Sequence, residues 1–414
     1  MPPDSELQTT IAGGLPGVVP VGRGTSYLLR GTVAAGGERI RSVELQTNGK
    51  PQDLAGLVDA GGDEIEGAEP GARSWWAIAD LPRTELRTEV RIALEASVGG
   101  RRRLSSDLGT LDLYSGFSIP NLDHLEAAER EDGSITGALP LEPRVFLAVA
   151  VRSPDIDRLR LRVESLRAQS YRNWRCFVRD CGSSQEEIAA MRELLGDDDR
   201  FELFEGTVTG LNAGIGQALT KLSADAPYIG VTGSVAAWHP EALETMLEAF
   251  TPEANAVLGE VAGSAGDGDE HGEGLGELAG EGAIAPGGLI FRRELLPYVL
   301  PLPPIADVDS RANRWIAMVA RALGAIQHAE LPNADGAADR TAAAPGEDAV
   351  PIGPDGKPRT PLEIQLLGVA AARTLETRCS PYLTSRGRRQ LRRINSGSAS
   401  RIARGRAAKA LGRG

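Results

Sequence analysis

Only three cysteines stand in a chain of 414 residues, which leaves little means of covalent stapling. Cys176, Cys181 and Cys379 are too few for a disulfide framework, and no Cys-x-x-Cys or His-x-x-x-His spacing offers a zinc site, so buried free thiols are the expectation. Long apolar runs are missing too: nothing approaches the roughly 20 residues needed to cross a bilayer. The opening "MPPDSELQTT" has neither the basic start nor the apolar stretch of a secretory signal. A cytoplasmic location is the resulting expectation. No fixed repeat period stands out. No Gly-rich, Lys-containing phosphate loop follows the first strand of the α/β pattern described below, which argues against a nucleotidyltransferase. Finally, Ser380 to Gly414 contains no Asp or Glu, although it carries ten Lys or Arg. With a formal charge of -12 overall, the body is therefore acidic and the tail strongly basic.

What remains is enough for two or three domains, since 41% of residues are hydrophobic. Residues 1–25 are assigned to a disordered N-terminus. From 26 to 114 the chain reads as short strands separated by turn signals: "YLLRGTVAA", "RIRSVELQTNG", "RSWWAIADL", "EVRIALEASVGG" and "LGTLDLY". Alternation such as Val43, Leu45 and Ile92, Leu94 fits sheets with one wet face, which predicts a small Ig-like β-sandwich. Trp75 and Trp76 would point to opposite sides of a strand. One belongs in the core; the other is either a sugar-stacking aromatic or a rim residue at a domain interface. Residues 115–143 form a linker, with a short helix possible in "DHLEAAEREDGS" and a Pro-flanked junction at "GALPLEP".

At residue 144 the pattern changes to alternating strands and helices. "RVFLAVAV" is an apolar run of the kind buried on both faces of a parallel sheet. Helix "DIDRLRLRVESLRAQS", strand "WRCFVRD", helix "QEEIAAMRELLG", strand "RFELFEG", helix "GLNAGIGQALTKLS" and strand "YIGVTG" continue it. That order predicts a doubly wound sheet with ligands beyond the carboxyl ends of its strands. Three loops are selected by the rule: Arg152 to Asp155, Asp180 to Ser184 and Thr232 to Trp238. Beyond residue 342 come a loop and C-terminal helix, 343–379, and then the basic tail, 380–414, expected to be disordered.

Between about Arg144 and Asn333 the chain resembles the family 2 glycosyltransferases. "VESLRAQSYRNW" is similar to the Ser-Leu-x-x-Gln-x-Tyr-x-Asn-Trp signature, "RDCGSS" stands where the family writes Asp-Asp-Gly-Ser, and "GLNAGI" matches an Asn-x-Gly segment. "HPEALETMLEAF" is like the helix after the metal motif, "GGLIFRREL" like the strand before the acceptor site, and "DVDSRANRWIAMVARALG" like the helix headed by the catalytic carboxylate. The resemblance implies a GT-A fold, the doubly wound, mostly parallel α/β sheet of nucleotide-diphospho-sugar transferases, here over 144–342 and preceded by an all-β accessory sandwich.

It also implies roles. Asp180 would accept from the nucleobase or ribose, or else serve as a turn or helix-cap aspartate. Asn212 would reach the same pocket or cap its helix. Aligned back from Pro240, the family's Asp-x-Asp positions fall on Gly233 and Val235, which have no side-chain oxygen. The magnesium or manganese expected for the family thus lacks its ligands, Ser234 being a poor replacement, and no cofactor is assigned. Protein cations are the alternative for neutralising a diphosphate, with Arg152 and Arg292 the candidates, Arg293 and Arg314 beside them. Asp309 and Asp307 match the position of the catalytic base, although Asp309 equally suits a helix cap. The acidic, Gly-rich Gly263 to Gly282 reads as a flexible surface loop, and His239 as a structural end to its own loop.

The implied partners are a nucleotide-sugar donor and a glycan or lipid-linked acceptor. For the tail they are the anionic inner face of a membrane, or simply solvent; the absence of aromatic residues among its arginines argues against nucleic acid. Two functions remain open: a glycosyltransferase working without the usual metal motif, and a catalytically inactive binding or scaffold module in a polysaccharide-assembly complex.

Overall fold

The computed structural model describes residues 6–58, 72–99, 102–116, 143–206, 211–221, 226–231, 237–261, 288–303, 311–332, 360–383 and 387–392. The chain divides into two compact units. One comprises Met1–Gly116, Gly353–Arg378 and Arg392–Gly414; the other comprises Phe117–Ile352 and Cys379–Leu391.

Among the described residues the first unit has nine strands: β1 (Gln8–Ile11), β2 (Val18–Pro20), β3 (Gly24–Ala34), β4 (Ile40–Thr47), β5 (Lys50–Pro51), β6 (Leu54–Leu57), β7 (Arg73–Pro82), β8 (Thr88–Val98) and β9 (Arg102–Tyr114). They form a four-stranded sheet, β1-β3-β7-β6, and a five-stranded sheet, β2-β9-β8-β4-β5. Along β8, Val90, Ile92, Leu94, Ala96 and Val98 are all buried while the residues between them are not, so one face of the strand feeds the core. Leu29, Leu45, Trp75, Leu111 and Leu113 join them. Each such side chain, fully buried, contributes about 1.5–3 kcal/mol. The expected Asn48-Gly49 turn links β4 and β5, both residues having positive φ.

The assignment of residues 1–25 to a disordered N-terminus is corrected by β1 and β2. β1 pairs antiparallel with β3 from Gln8↔Ala34 to Ile11↔Gly31, yet none of its four residues is buried. Its anchorage is backbone pairing, which leaves no apolar alternation to read. Gly31 permits the approach: a Cβ there would lie 1.7 Å from the Thr10 carbonyl oxygen.

Trp75 and Trp76 also differ from expectation, because both are buried, at 1% and 5% exposure. Trp75 enters the sandwich core and its Nε1 donates to the Thr32 carbonyl at 3.2 Å. Trp76 shares the opposite face with Asp80 and, across the register, with Arg30 and Ser26. That face meets a helix from the far end of the chain, Pro361–Cys379. Arg373 Nε donates to both Asp80 oxygens at 3.0 Å, Thr374 Oγ1 accepts from the Ser26 amide at 2.9 Å, and Arg378 Nε donates to the Gly24 carbonyl at 2.7 Å. Glu363 pairs with Arg30 and closes a reciprocal cap with Thr360. The predicted C-terminal helix exists, then, but it is a layer of the N-terminal sandwich unit.

The second unit follows the alternation read from sequence. Its elements are β10 (Val145–Val151), α1 (Ile156–Arg167), β11 (Trp174–Asp180), α2 (Gln185–Leu195), β12 (Phe201–Phe204), α3 (Leu211–Thr220), β13 (Tyr228–Val231), α4 (Ala242–Glu248), β14 (Ala254–Val261), β15 (Leu289–Arg292), α5 (Leu296–Val299), α6 (Arg311–Leu323) and β16 (Ala325–Leu331). Continuing this numbering, the helix Pro361–Cys379 is α7. The seven strands lie in the order β12-β11-β10-β13-β15-β14-β16. Only β15 runs against its neighbours, so the sheet is doubly wound and mostly parallel, as expected. Six of the seven residues of β10 are buried, which suits the centre of a sheet covered on both sides.

The "SLRAQSYRNW" stretch acts as a clamp. Gln169 is wholly buried; its Nε2 donates to the carbonyls of Ser165 (3.0 Å) and His239 (2.8 Å), and its Oε1 accepts from the Leu243 amide at 3.0 Å. The Ser170 amide donates to Pro240 O at 2.7 Å, Tyr171 OH donates to Pro143 O, and Asn173 O accepts from the Val145 amide at 3.0 Å. One turn thereby fixes the start of β10 and the head of α4. His239 keeps the structural role expected of it, its Nδ1 accepting from the Glu241 amide at 3.3 Å.

The expectation of a disordered tail from 380 is corrected in part. Residues 387–392 are helical, Leu391 is completely buried, and the Tyr382 ring meets Tyr298 edge-on at 5.7 Å between centroids. Residues 393–414 lie outside the described residues.

Replacing Gln169 by Leu keeps the bulk but strands three backbone groups, at a cost of roughly 1–3 kcal/mol for each left unpaired. The urea midpoint of Gln169→Leu is expected well below that of the wild type; equal midpoints would mean that the clamp carries no weight.

Candidate functional site

Val151 and Asp180 are the last residues of β10 and β11 and lie level with each other in the sheet. The loops that follow are tied together. Cys181 N donates to Val151 O at 2.8 Å, Ser153 N donates to Ser183 Oγ at 3.0 Å, and Arg152 Nε reaches the Cys181 carbonyl at 3.4 Å. Ser153 takes positive φ (39°) to make this turn. Each loop then starts a helix. Asp155 caps α1 by accepting from the amides of Asp157 and Arg158, at 3.0 and 3.2 Å, and Ser184 forms a capping box with Glu187 on α2.

Asp180 is the centre of the second loop. It is only 2% exposed, Oδ1 accepts from the Ser183 amide at 3.0 Å, and Oδ2 accepts from the Gly182 amide at 3.3 Å. Burial pushes its carboxyl up, but the Ser183 hydroxyl, the Ser183 and Gly182 amides and the nearby Arg179 outweigh that and hold it below the usual carboxylate range. These two bonds give Asp180 the contacts of a turn aspartate. Gly182, at φ 102°, supplies the backbone conformation that lets both amides converge on it.

Cys181, which the sequence reading treated only as a thiol, occupies the second aspartate position of the family's Asp-Asp-Gly-Ser pattern. It is 3% exposed, and burial raises its thiol above the ordinary range. Gly214 of α3 packs against it so closely that a Cβ would stand 2.4 Å from Sγ. A carboxylate is thus replaced by a packed, protonated sulfur.

Arg152 and Asp180 are therefore brought to one rim. Arg292 is not. In the antiparallel register it lies level with Tyr228, the first residue of β13, at the amino rather than the carboxyl edge. Its side chain is 2% exposed and spent on backbone: Nε donates to Ala254 O at 2.6 Å, Nη2 to Thr251 O at 3.0 Å, and the guanidinium lies 5.6 Å from the Phe250 ring centroid. The reversal of β15 is the physical reason, since it carries the end of "LIFR" away from the loops. Asn212 is the second residue of α3. Ser234 with the rest of 232–236, Asp307, Asp309 and the Gly263 to Gly282 segment lie outside the described residues. Trp238 is buried, with its ring over Gly288, where a Cβ would come within 2.5 Å of Cζ2.

Among the described residues, no group of three or more His, Cys, Asp or Glu is placed to hold a metal ion. Gly233 and Val235, which carry no side-chain oxygen, lie outside the described residues.

Residues 152–290, about a third of the chain, match the model of the family described as glycosyl transferase family 2. The match opens at Arg152 and takes in both tied loops. Among solved structures, the chain is similar to a mannosyltransferase from Pyrobaculum calidifontis in complex with GDP-Man and Mn2+, at 17% identity, covering 70% of this chain and 88% of that one, with a TM-score of 0.37. It is similar also to glucosyl-3-phosphoglycerate synthase from Mycobacterium tuberculosis in complex with Mn2+, UDP and glucosyl-3-phosphoglycerate, at 14% identity, 64% and 86% coverage and a TM-score of 0.35. No curated protein matches the chain.

Substituting Asp180 by Ala should cost roughly 1–3 kcal/mol near pH 7, because two loop amides lose their acceptor. The folded carboxyl titrates below its unfolded value, so this contribution is complete above about pH 4 and disappears as the pH falls through the folded pKa. Urea midpoints of wild type and Asp180→Ala should converge in acid; a gap that persists there would contradict the ionic origin.

Proposed function

We propose that the α/β unit binds a nucleotide-sugar at the carboxyl rim of β10 and β11 and transfers the sugar to a glycan or lipid-linked acceptor without an Asp-x-Asp metal site. The observation that carries this reading is the family match over 152–290, which begins on the rim itself. Arg152, exposed beside the Cys181 carbonyl, is the rim cation available to donor phosphates. Asp309, or Asp307 two residues earlier, takes the proton of the acceptor hydroxyl. Asn212 and Ser234 complete the donor contacts in this reading.

A second reading has its own support. Both oxygens of Asp180 are engaged by its own loop, and Cys181 brings no carboxylate, which weakens nucleobase recognition and favours a non-catalytic scaffold in polysaccharide assembly. The readings separate in a thermal-shift screen of UDP- and GDP-sugars with manganese and with EDTA. Transfer predicts a raised midpoint in both conditions; no shift with any nucleotide leaves the scaffold.

No helix among the described residues is long and apolar enough to cross a membrane. The basic tail is the element proposed to meet an anionic bilayer, each Lys or Arg near the surface contributing about 1 kcal/mol. Because Leu391 is buried, the informative truncation removes 393–414 and spares the packed turn. That variant should bind phosphatidylserine vesicles more weakly than the full chain, by a margin that shrinks with salt; identical binding would remove the membrane role.

A further inference from the structure

Arg179, the penultimate residue of β11, was not singled out by the sequence, yet it is the most constrained arginine near the rim. It is 9% exposed. Its Nε donates to Gln217 Oε1 of α3 at 3.0 Å, and its stem packs under Gly214, where a Cβ would lie 3.3 Å from Arg179 Cγ. Among the described residues the terminal nitrogens make no hydrogen bond and no carboxylate lies within ion-pair distance of them; the adjacent Asp180 feels the Arg179 charge, but both its oxygens accept from loop amides. They face Gly206 instead, just past the end of β12, where Nη2 and Nη1 lie 3.4 and 3.6 Å from the position a Cβ would take. Gly206 is exposed and has φ 130°, so no side chain stands between it and the fork and other residues are disfavoured there.

A guanidinium largely removed from water normally has a counter-charge, and a fork held at Nε and along its stem is organised for two oxygens of one anion. The carboxyl ends of β11 and β12 are also where a sheet of this kind receives ligands. We propose that Arg179 is an anion-binding residue whose Nη1 and Nη2 take a phosphate group of the ligand at the opening beside Gly206. Its identification with the donor diphosphate rests on the nucleotide-sugar reading above; the anion site does not. It would supply the positive charge that Gly233 and Val235 cannot recruit through a metal.

The test is titration of the full chain with sodium pyrophosphate in EDTA, at ionic strength matched with sodium chloride, followed by calorimetry and by the thermal midpoint. Wild type should bind and rise in midpoint. Arg179→Gln should weaken binding about tenfold to a hundredfold, Arg179→Lys should keep part of it, and Arg160→Gln, an exposed position on α1, should leave it unchanged. Should Arg179→Gln fail to fold, Gly206→Asp sets a carboxylate against the fork at an exposed position and should abolish the response. No binding by wild type, or equal binding by wild type and either Arg179→Gln or Gly206→Asp, overturns the proposal. Pyrophosphate binding through Arg179 without any response to UDP- or GDP-sugars would keep the anion site and remove the nucleotide-sugar reading.

Discussion

The rim of the α/β unit depends on one carboxylate holding two amides. With Asp180 accepting from Gly182 and Ser183, the chain reverses within three residues of the end of β11, and every other contact of the rim follows from that reversal. It presents the Cys181 carbonyl to Arg152 and the Ser183 hydroxyl to the Ser153 amide, which draws the first loop against the second. It also delivers Ser184 to the head of α2, where the capping box satisfies amides that the helix leaves open. An acidic side chain in a binding loop is often read as a ligand contact. Here each of its oxygens accepts an amide of its own loop.

The same division between scaffold and chemistry explains what was legible in the sequence. The family signature in "SLRAQSYRNW" is carried by Gln169, Tyr171, Asn173 and Trp174, and their partners are backbone groups, core neighbours and, for Asn173, the Arg144 guanidinium. Such residues hold the start of β10 and the head of α4, so they report the fold and say little about a substrate. The strand and helix order was readable for a related reason: β10 is apolar throughout and α1 buries Leu159, Val163 and Leu166 at helical spacing. By contrast, Cys181 sits where the Asp-Asp-Gly-Ser pattern is altered, and Arg179 lies outside that pattern. A motif reading registers an altered position as a mismatch and cannot assign it a role.

Elements held by backbone or by distant partners were the ones missed. β1 buries none of its residues and pairs through its main chain. The partners of α7 lie some three hundred residues earlier, and its contact face mixes Arg373, Thr374 and Arg378 with apolar positions, so local periodicity gives no hint of which sheet it covers. Arg292 was misplaced because "LIFR" reads as a strand in either direction; only the pairing with β13 tells that it runs backward and ends at the amino edge. In each case the missing information was a long-range pairing, which no window of sequence contains.

Arg292 and Arg179 also set the terms for any catalysis without a metal. Both are buried, both are fixed by a bond from Nε, and they differ in what meets the terminal nitrogens. For Arg292, the carbonyls of Thr251 and Pro252 complete the shell at Nη2, so its charge is used to hold the turn before β14. For Arg179, a glycine takes the place of such a partner. A cation already satisfied by carbonyls gains little from a developing negative charge, because it would first have to break those bonds. One whose terminal donors are not already bonded has no such cost, and electrostatic stabilisation of a leaving group works through donors of that second kind. Burial or abundance of arginine therefore does not tell these two cations apart; what does is whether their terminal nitrogens meet an acceptor among the described residues.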